Sequence, residues 1–394
     1  MKKACIVRHR YYPADPRVRK EAEALIDEGY KVDVICLKNI DEKSRENVYG
    51  VNVYRLPLRH YRRSMARYIF EYLTFFGLAS AKLCILYFQN NYEVVQVNTL
   101  PDFLVFVAVI PKLFGAKVML DMHEPAPELW CTKYGVGKMK FIIRALKWFE
   151  QISIRFADHV ITVTEQLKDT YVSRGASSSK ITVVLNGADN KIFNPTLYQS
   201  NFQSKNDNFT LISHGTIEKR YWLDGPIKAV NLLKGKISNI QLNILGEGEY
   251  LPELKKLVTR LKLGNFVHFL GFVSFDEMLK MIIKSDVGIV PLEKNAYSDL
   301  VHTNKMFEYI AMRKPTIITR TKAVEAYFDD SCLMFFESGN EEDLAKCILE
   351  LYKNPEKRED LVKNAWKRNQ KIRWSENKKT YCNIFAQLLQ RQEK

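Results

Sequence analysis

Seven cysteines are scattered through 394 residues, an odd number with no C-x-x-C pair among them. Such usage excludes a disulfide framework and fits reduced thiols in a cytosolic setting. No G-x-G-x-x-G follows the first strand pattern, which excludes a nicotinamide dehydrogenase. Zinc-finger spacing and an aromatic RNA-binding signature are also missing, so nucleic acid is not an expected partner. The opening residues, MKKACIVRHR, hold no apolar run long enough for a signal peptide and enter a strand pattern directly. Short-period repeats and low-complexity tracts are absent too. With 46% hydrophobic and 27% charged residues the chain is globular, which excludes disorder.

What is abundant is positive charge. A net charge of +15 favours phosphorylated substrates or acidic lipid as partners. The length suits two domains. Strand-like runs at 4–7, 31–37, 51–56, 94–98, 117–122, 159–164 and 181–185 alternate with helical ones, the mark of parallel sheets built from βαβ units. A polar stretch, Asn194 to Asn208, reads as a linker. A second series follows at 210–213, 241–245, 267–270, 287–290, 316–319 and 333–336, and 341–392 reads as helices. The expected division is 1–195, 196–372 and a C-terminal helix, 373–394, returning to the first domain. Two successive α/β sheets place a ligand cleft at the carboxyl ends of their strands.

The segment His302–Thr319, HTNKMFEYIAMRKPTIIT, organises the second half. Thr303 or Asn304 can cap a short helix, and Pro315 ends it before a β-branched strand. Lys305 and Glu308, three residues apart, share one face. A helix N-terminus beside a lysine suits a phosphate, because free N–H groups and the dipole favour an anion. The same spacing also fits an ordinary amphipathic helix with a solvated Lys–Glu pair. In the first half, Asp15 and Pro16 begin a helix whose start is crowded by Arg17, Arg19 and Lys20. His123 and Glu124 emerge at the end of the fifth strand, where ligands gather. Asn98, Thr164 and Asn186 end other strands of that sheet.

Two stretches combine basic and apolar residues. Arg59, Arg62, Arg63 and Arg67 precede the apolar run to Phe88, which Glu71 and Lys82 interrupt; Lys138–Phe156 repeats the pattern. Basic rims beside Phe, Trp and Ile suit helices lying in an anionic interface, so peripheral contact with the inner face of a membrane is expected.

KMFEYIAMRKP closely resembles the donor-site helix of retaining glycosyltransferases of family 4, usually K-x-x-E-y-x-A-x-G-x-P. The order D-P-R-V-R, D-x-H-E, N-G, H-G-T, G-E-G, K-M-F-E-Y also resembles that family, with its SDLV…KMFEY subgroup, over nearly the whole chain. The resemblance implies an α/β, GT-B architecture: two Rossmann-like, doubly wound parallel-sheet domains facing a central cleft. It implies transfer of a sugar from a nucleoside diphosphate to a hydroxyl acceptor, a lipid-linked or cell-envelope glycan, with retention. No cofactor and no metal are expected, since no D-x-D occurs to seat a divalent ion. By resemblance, Lys305 and Arg220 neutralise the leaving diphosphate, Glu308 holds the ribose and His123 touches the sugar. Gly215, Thr216, Lys219, Gly246, Glu247, Gly248, Val273, Asp299, His302, Thr303, Asn304 and Met306 would line the donor. Asp15, Arg17, Asn98, Glu124 and Asn186 would line the acceptor side.

The chain departs from the family at several places. Leu300 occupies the position of the first family glutamate, with Asp299 beside it. Thr216 stands for a basic residue, Tyr221 for a lysine, and Trp222 and Arg313 for glycines. Two other readings stay open: a sugar-nucleotide epimerase of the same architecture, and a non-catalytic glycan- or lipid-binding protein that kept the fold.

Overall fold

The computed structural model describes residues 2–59, 65–135, 140–198 and 207–390. Arg62, Arg63, Lys138 and most of the expected linker fall outside them. The chain forms two units, Met1–Asn186 with Glu376–Lys394, and Gly187–Ser375, so the joints lie at 186 and 375 rather than at 195 and 372.

Unit 1 carries β1 (Lys3–Tyr11), β2 (Lys31–Leu37), β3 (Arg45–Val48), β4 (Val51–Leu56), β5 (Val94–Asn98), β6 (Lys117–Met122), β7 (His159–Thr162) and β8 (Ile181–Val183). They lie in the order β3-β4-β2-β1-β5-β6-β7-β8. Strands such as VICL in β2 are buried on both faces, as a sheet sandwiched between helices requires. All pairs are parallel except β3 with β4. The sequence reading misses β3, because a short polar strand, RENV, carries no apolar alternation. Tyr49 and Gly50 both take positive φ, 54° and 83°, which is the two-residue turn that closes such a hairpin.

Unit 2 carries β9 (Phe209–His214), β10 (Ile240–Leu245), β11 (Val267–Gly271), β12 (Val287–Val290), β13 (Thr316–Thr319) and β14 (Met334–Phe336). All pairs are parallel, in the order β11-β10-β9-β12-β13-β14. In each sheet the strand order reverses beside the first strand, at β1/β5 in unit 1 and at β9/β12 in unit 2. Ligands of open α/β sheets bind at such switch points, outside the carboxyl ends.

The last helix, Trp374–Gln390, packs on unit 1. It buries Tyr381, Ile384, Phe385 and Leu388. Phe385 meets Tyr30 edge-on at 5.9 Å, and Asn377 accepts the N–H of Leu185 at 2.8 Å. Burying one such ring contributes about 1.5–3 kcal/mol.

Candidate active site

In unit 2, three adjacent strands end on glycines in the left-handed region: Gly215 (φ 111°) after β9, Gly246 (φ 120°) after β10, and Gly271 (φ 66°) closing β11. Their backbones are laced together, Gly215 N–H donating to Leu245 O at 2.9 Å and Gly246 N–H to Gly271 O at 2.7 Å. A Cβ on Gly246 would stand 2.0 Å from Gly215 O, and one on Gly248 2.1 Å from Ile217 O. Only glycine permits this approach, and the loop backbone can therefore lie close to a ligand.

The helix Asn304–Ala311 starts beside this floor. Thr303 is its N-cap but makes no side-chain cap bond, contrary to the sequence expectation. The first-turn N–H groups of Lys305 and Met306 have no intrahelical acceptor, so they remain available to an anion. The Met306 side chain points into the core, leaving that N–H as its route to a donor.

Lys305 lies almost wholly buried, its aliphatic end against Gly215 and its Nζ 4.2 Å from the centre of the Tyr221 ring. No carboxylate pairs with it among the described residues. Burial pulls its amine down to about 8, with Glu308 opposing and nearby Arg220 adding to the effect. An unpaired buried ammonium is costly unless an anion joins it. Arg220 packs over Tyr221 and Tyr297, at 4.9 and 5.4 Å, and pairs with Glu218 at 2.8 Å. Tyr221, standing at the family's lysine position, thus forms a ring floor shared by two cations. Lys219 is exposed and close to Glu293.

Glu308 meets a residue that sequence reasoning missed. His214, closing β9, contacts Glu308 Oε2 through Nε2 at 2.6 Å and the Tyr309 hydroxyl through Nδ1 at 2.8 Å. The Tyr309 hydroxyl also donates to Ile212 O at 3.1 Å. Gly288 on β12 makes room for the Tyr309 ring, which a Cβ there would strike at 2.5 Å. Burial raises Tyr309 well above the ordinary tyrosine value, so it stays a phenol. A carboxylate oxygen only accepts, so Nε2–H donation fixes Oε2 of Glu308 and leaves Oε1 for a ligand hydroxyl.

Other expected donor residues are engaged otherwise. Asp299 Oδ1 accepts the N–H of Lys322 at 3.0 Å, capping a short helix. The His302 ring is buried edge-on against Phe307 and Tyr327, at 4.7 and 5.7 Å. Glu247 lends its carbonyl to Ile217 N–H at 2.9 Å, and its side chain is exposed, as is Thr216. Val273 packs beside the second core cluster of unit 2. The two glycine replacements keep the glycine conformation: Trp222 has φ 43° and Arg313 φ 56°. Trp222 stacks on Phe336 at 5.8 Å and fills the space above Gly225; Arg313 stacks on Trp366 at 3.6 Å. Packing offsets the left-handed strain.

Unit 1 places its polar residues in a closed network. Arg17 donates from Nε and NH2 to the two oxygens of Asp121, at 2.7 and 2.9 Å, and approaches Glu21 at 3.1 Å. Asn98 donates to Asp121 and Glu21, at 2.5 and 3.0 Å, and accepts from Gln96 at 2.9 Å. Tyr381 of the last helix closes the chain by donating to Gln96 at 2.6 Å. Arg17 and Asn98 are both buried within this network. Burial opposes ionisation of Asp121, yet Arg17 and His123 hold it below the usual carboxylate range. Glu21 is pushed up by burial and by Asp121. Asp15 caps its helix through Arg17 and Val18 N–H and pairs with Arg8 at 2.8 Å. Burial opposes its ionisation, but Arg8 wins and lowers it to about 2. Asn186 accepts from Lys20 at 3.0 Å.

His123 stands at the open edge of this network. Its Nδ1 lies 3.1 Å from Asp121 Oδ2, which orients the ring and leaves Nε2 without a protein hydrogen bond among the described residues; Glu124 follows it, half-buried. Unit 1 also shows an apolar face. The helix Met65–Asn90 buries Phe75, Ala79, Leu83 and Leu86 but exposes Ile69, Phe70, Leu73, Ile85 and Phe88. Its stretch Arg67–Asn90 is long and apolar enough to cross a membrane by length and composition. Leu113, Phe114, Phe141 and Trp148 on neighbouring segments are exposed as well.

Residues 14–187 match the glycosyl transferase 4-like domain and residues 197–368 the glycosyl transferases group 1 domain. This chain belongs to the glycosyltransferases. It is 29% identical over 152 residues to an uncharacterized glycosyltransferase of Methanocaldococcus jannaschii, covering 38% of this chain and 42% of that one. To the alpha-monoglucosyldiacylglycerol synthase of Acholeplasma laidlawii it is 25% identical over 213 residues, 52% of each chain. The stretches matched thus span about half or less of those two relatives. Among solved structures, HepE of Anabaena in complex with UDP and glucose superposes with TM-score 0.74 at 14% identity, over 98% of this chain and 100% of that one. That likeness and the two parallel sheets make the fold GT-B.

Proposed function

We propose that the protein transfers a sugar, with retention, from a nucleoside-diphosphate sugar to a hydroxyl of a lipid-linked or cell-envelope glycan. The observation that carries this reading is the buried, unpaired Lys305 ammonium at an uncapped helix N-terminus, beside a glycine floor and the Glu308 carboxylate. Unit 2 holds the donor: Lys305, Arg220 and the first-turn N–H groups meet the diphosphate, and Oε1 of Glu308 accepts from the ribose. Charge on the leaving diphosphate rises during transfer, which is where fixed cations and N–H groups accelerate a reaction most. His123, whose Nε2 makes no protein hydrogen bond among the described residues, meets a sugar hydroxyl. No metal enters this scheme. HepE, bound to UDP and glucose, and the alpha-monoglucosyldiacylglycerol synthase support the substrate classes.

The exposed apolar face of unit 1, with basic residues such as Lys112, Lys140, Arg144 and Lys147 around it, suits a chain lying on the inner leaflet of a cell membrane. An epimerase would change the sugar nucleotide with no acceptor present, and a pure binding protein would turn nothing over. Incubation with labelled UDP-, GDP- or dTDP-sugars and membrane extract separates these readings. Label moving to a lipid or glycan with the anomeric configuration kept supports the proposal; inversion, or epimerised donor alone, overturns it.

A further inference from the structure

A cavity of about 410 Å³ opens in unit 1 between the hairpin β3–β4 and the helix Met65–Asn90. Its wall carries Arg45, Tyr54, Arg55 and Lys82, and Ile85 forms part of its rim. Arg45 and Lys82 both stand over the Tyr54 ring, 5.3 and 4.9 Å from its centre. Neither makes an ion pair among the described residues. The acidic residues nearby are already used: Glu42 and Glu46 pair with Arg55, at 3.1 and 2.9 Å. Two cations therefore stand near one ring with no carboxylate bonded to either, an arrangement that a bound anion would stabilise. Lys82 is also the one basic residue that interrupts the apolar run in the second half of this helix.

The surroundings define the anion. Ile85 belongs both to the cavity and to the exposed apolar stripe that continues at Phe88, whose ring meets Phe114 at 5.2 Å. An anion held by Arg45 and Lys82 thus has apolar surface beside it, where acyl chains would lie. We propose that this cavity binds the phosphate headgroup of an anionic glycerophospholipid, with Ile85 and Phe88 entering the membrane next to it. The inference rests on the membrane reading above but adds a discrete, saturable site to it. It is separate from the donor side, which lies in unit 2.

The test uses the full chain and two probes. One is dihexanoyl phosphatidylglycerol below its micelle concentration, titrated by NMR or calorimetry; the other is vesicles with or without phosphatidylglycerol. One-to-one saturation by the soluble lipid is expected, with inorganic phosphate binding much more weakly. The double variant Arg45→Gln, Lys82→Gln should lose about 30-fold in affinity, the effect of about two basic residues near an anionic surface. Its UDP binding should stay unchanged, which shows that it folds. If the double variant binds the soluble lipid as the parent chain does, the headgroup site is wrong although membrane docking stands. If the parent chain ignores both kinds of vesicle, the membrane reading itself fails. Equal competition by inorganic phosphate would assign the cavity to a free phosphate and overturn the lipid proposal.

Discussion

Each unit brings a histidine and a carboxylate together at the carboxyl end of its sheet, but the two pairs are built differently. In unit 1, Asp121 behind His123 is answered by Arg17 through two short bonds, and Asp121 and Arg17 are both buried. In unit 2, Glu308 is partly exposed and is held on one side by His214, while Lys305 nearby has no carboxylate bonded to it. The first arrangement cancels its own charge and fixes geometry. The second leaves positive charge desolvated and uncancelled, at a cost that a bound anion offsets. The comparison teaches that nearness to a predicted site is a weaker guide than whether a charged group is already satisfied.

That contrast can be broken by mutation. The largest effect is expected from Arg17→Ala, which strands Asp121 and Glu21 in the core. Removing one partner of such a pair costs about 3–5 kcal/mol, so chemical denaturation should show a large loss of stability. A mild loss would mean that the network is open to water. Lys305→Met should leave stability nearly intact or raise it, while lowering turnover about 10²–10³-fold, the effect of removing one charge-stabilising donor. Steady-state rates and denaturation curves on the same sample separate the two outcomes.

A smaller effect is expected at His214. His214→Ala frees Oε2 of Glu308 and should weaken nucleoside diphosphate binding by about 1.5–3 kcal/mol, the range for hydrogen bonds to charged groups. His214→Gln, which can still donate, should recover part of it; no recovery would reduce the histidine to a packing role. The pH dependence follows from Lys305. Its folded-state value, about 8, lies below the ordinary 10.5, so the amine loses its proton as pH rises through 8. Diphosphate affinity should fall above pH 8, and Lys305→Met should abolish that fall. The sign for stability is opposite: the cost of burying the charge is full below pH 8 and fades between 8 and 10.5. Least of all, Arg313→Gly should change stability by no more than about 1 kcal/mol, since relief of left-handed strain offsets the lost stacking on Trp366.

Much of the architecture was legible because parallel strands buried on both faces read as apolar runs, VICL in β2 and TIIT in β13 among them. The polar edge strand β3 carried no such signal. The helix carrying Lys305 and Glu308 was legible through its apolar spacing and the Pro315 that follows it, but the contact of Glu308 with His214 was not: 94 residues separate them, and only the sheet order brings them together. The burial of Arg17 and Asn98 was hidden for a related reason. Both stand at element ends near the carboxyl edge, and local sequence does not reveal that Asp121, 104 residues from Arg17, draws that charge inward. The positions where family glycines are replaced were visible as departures. That Trp222 and Arg313 keep the left-handed backbone could not be read, because the stacking partners Phe336 and Trp366 are supplied by tertiary structure.

The central claim is that unit 2 takes a nucleoside diphosphate against Lys305. Isothermal titration of UDP, GDP and dTDP into the parent chain and into Lys305→Met and Glu308→Ala tests it most directly. The account predicts one-to-one binding of at least one nucleotide to the parent and a loss of roughly tenfold or more in each variant. Equal binding by all three chains would contradict it.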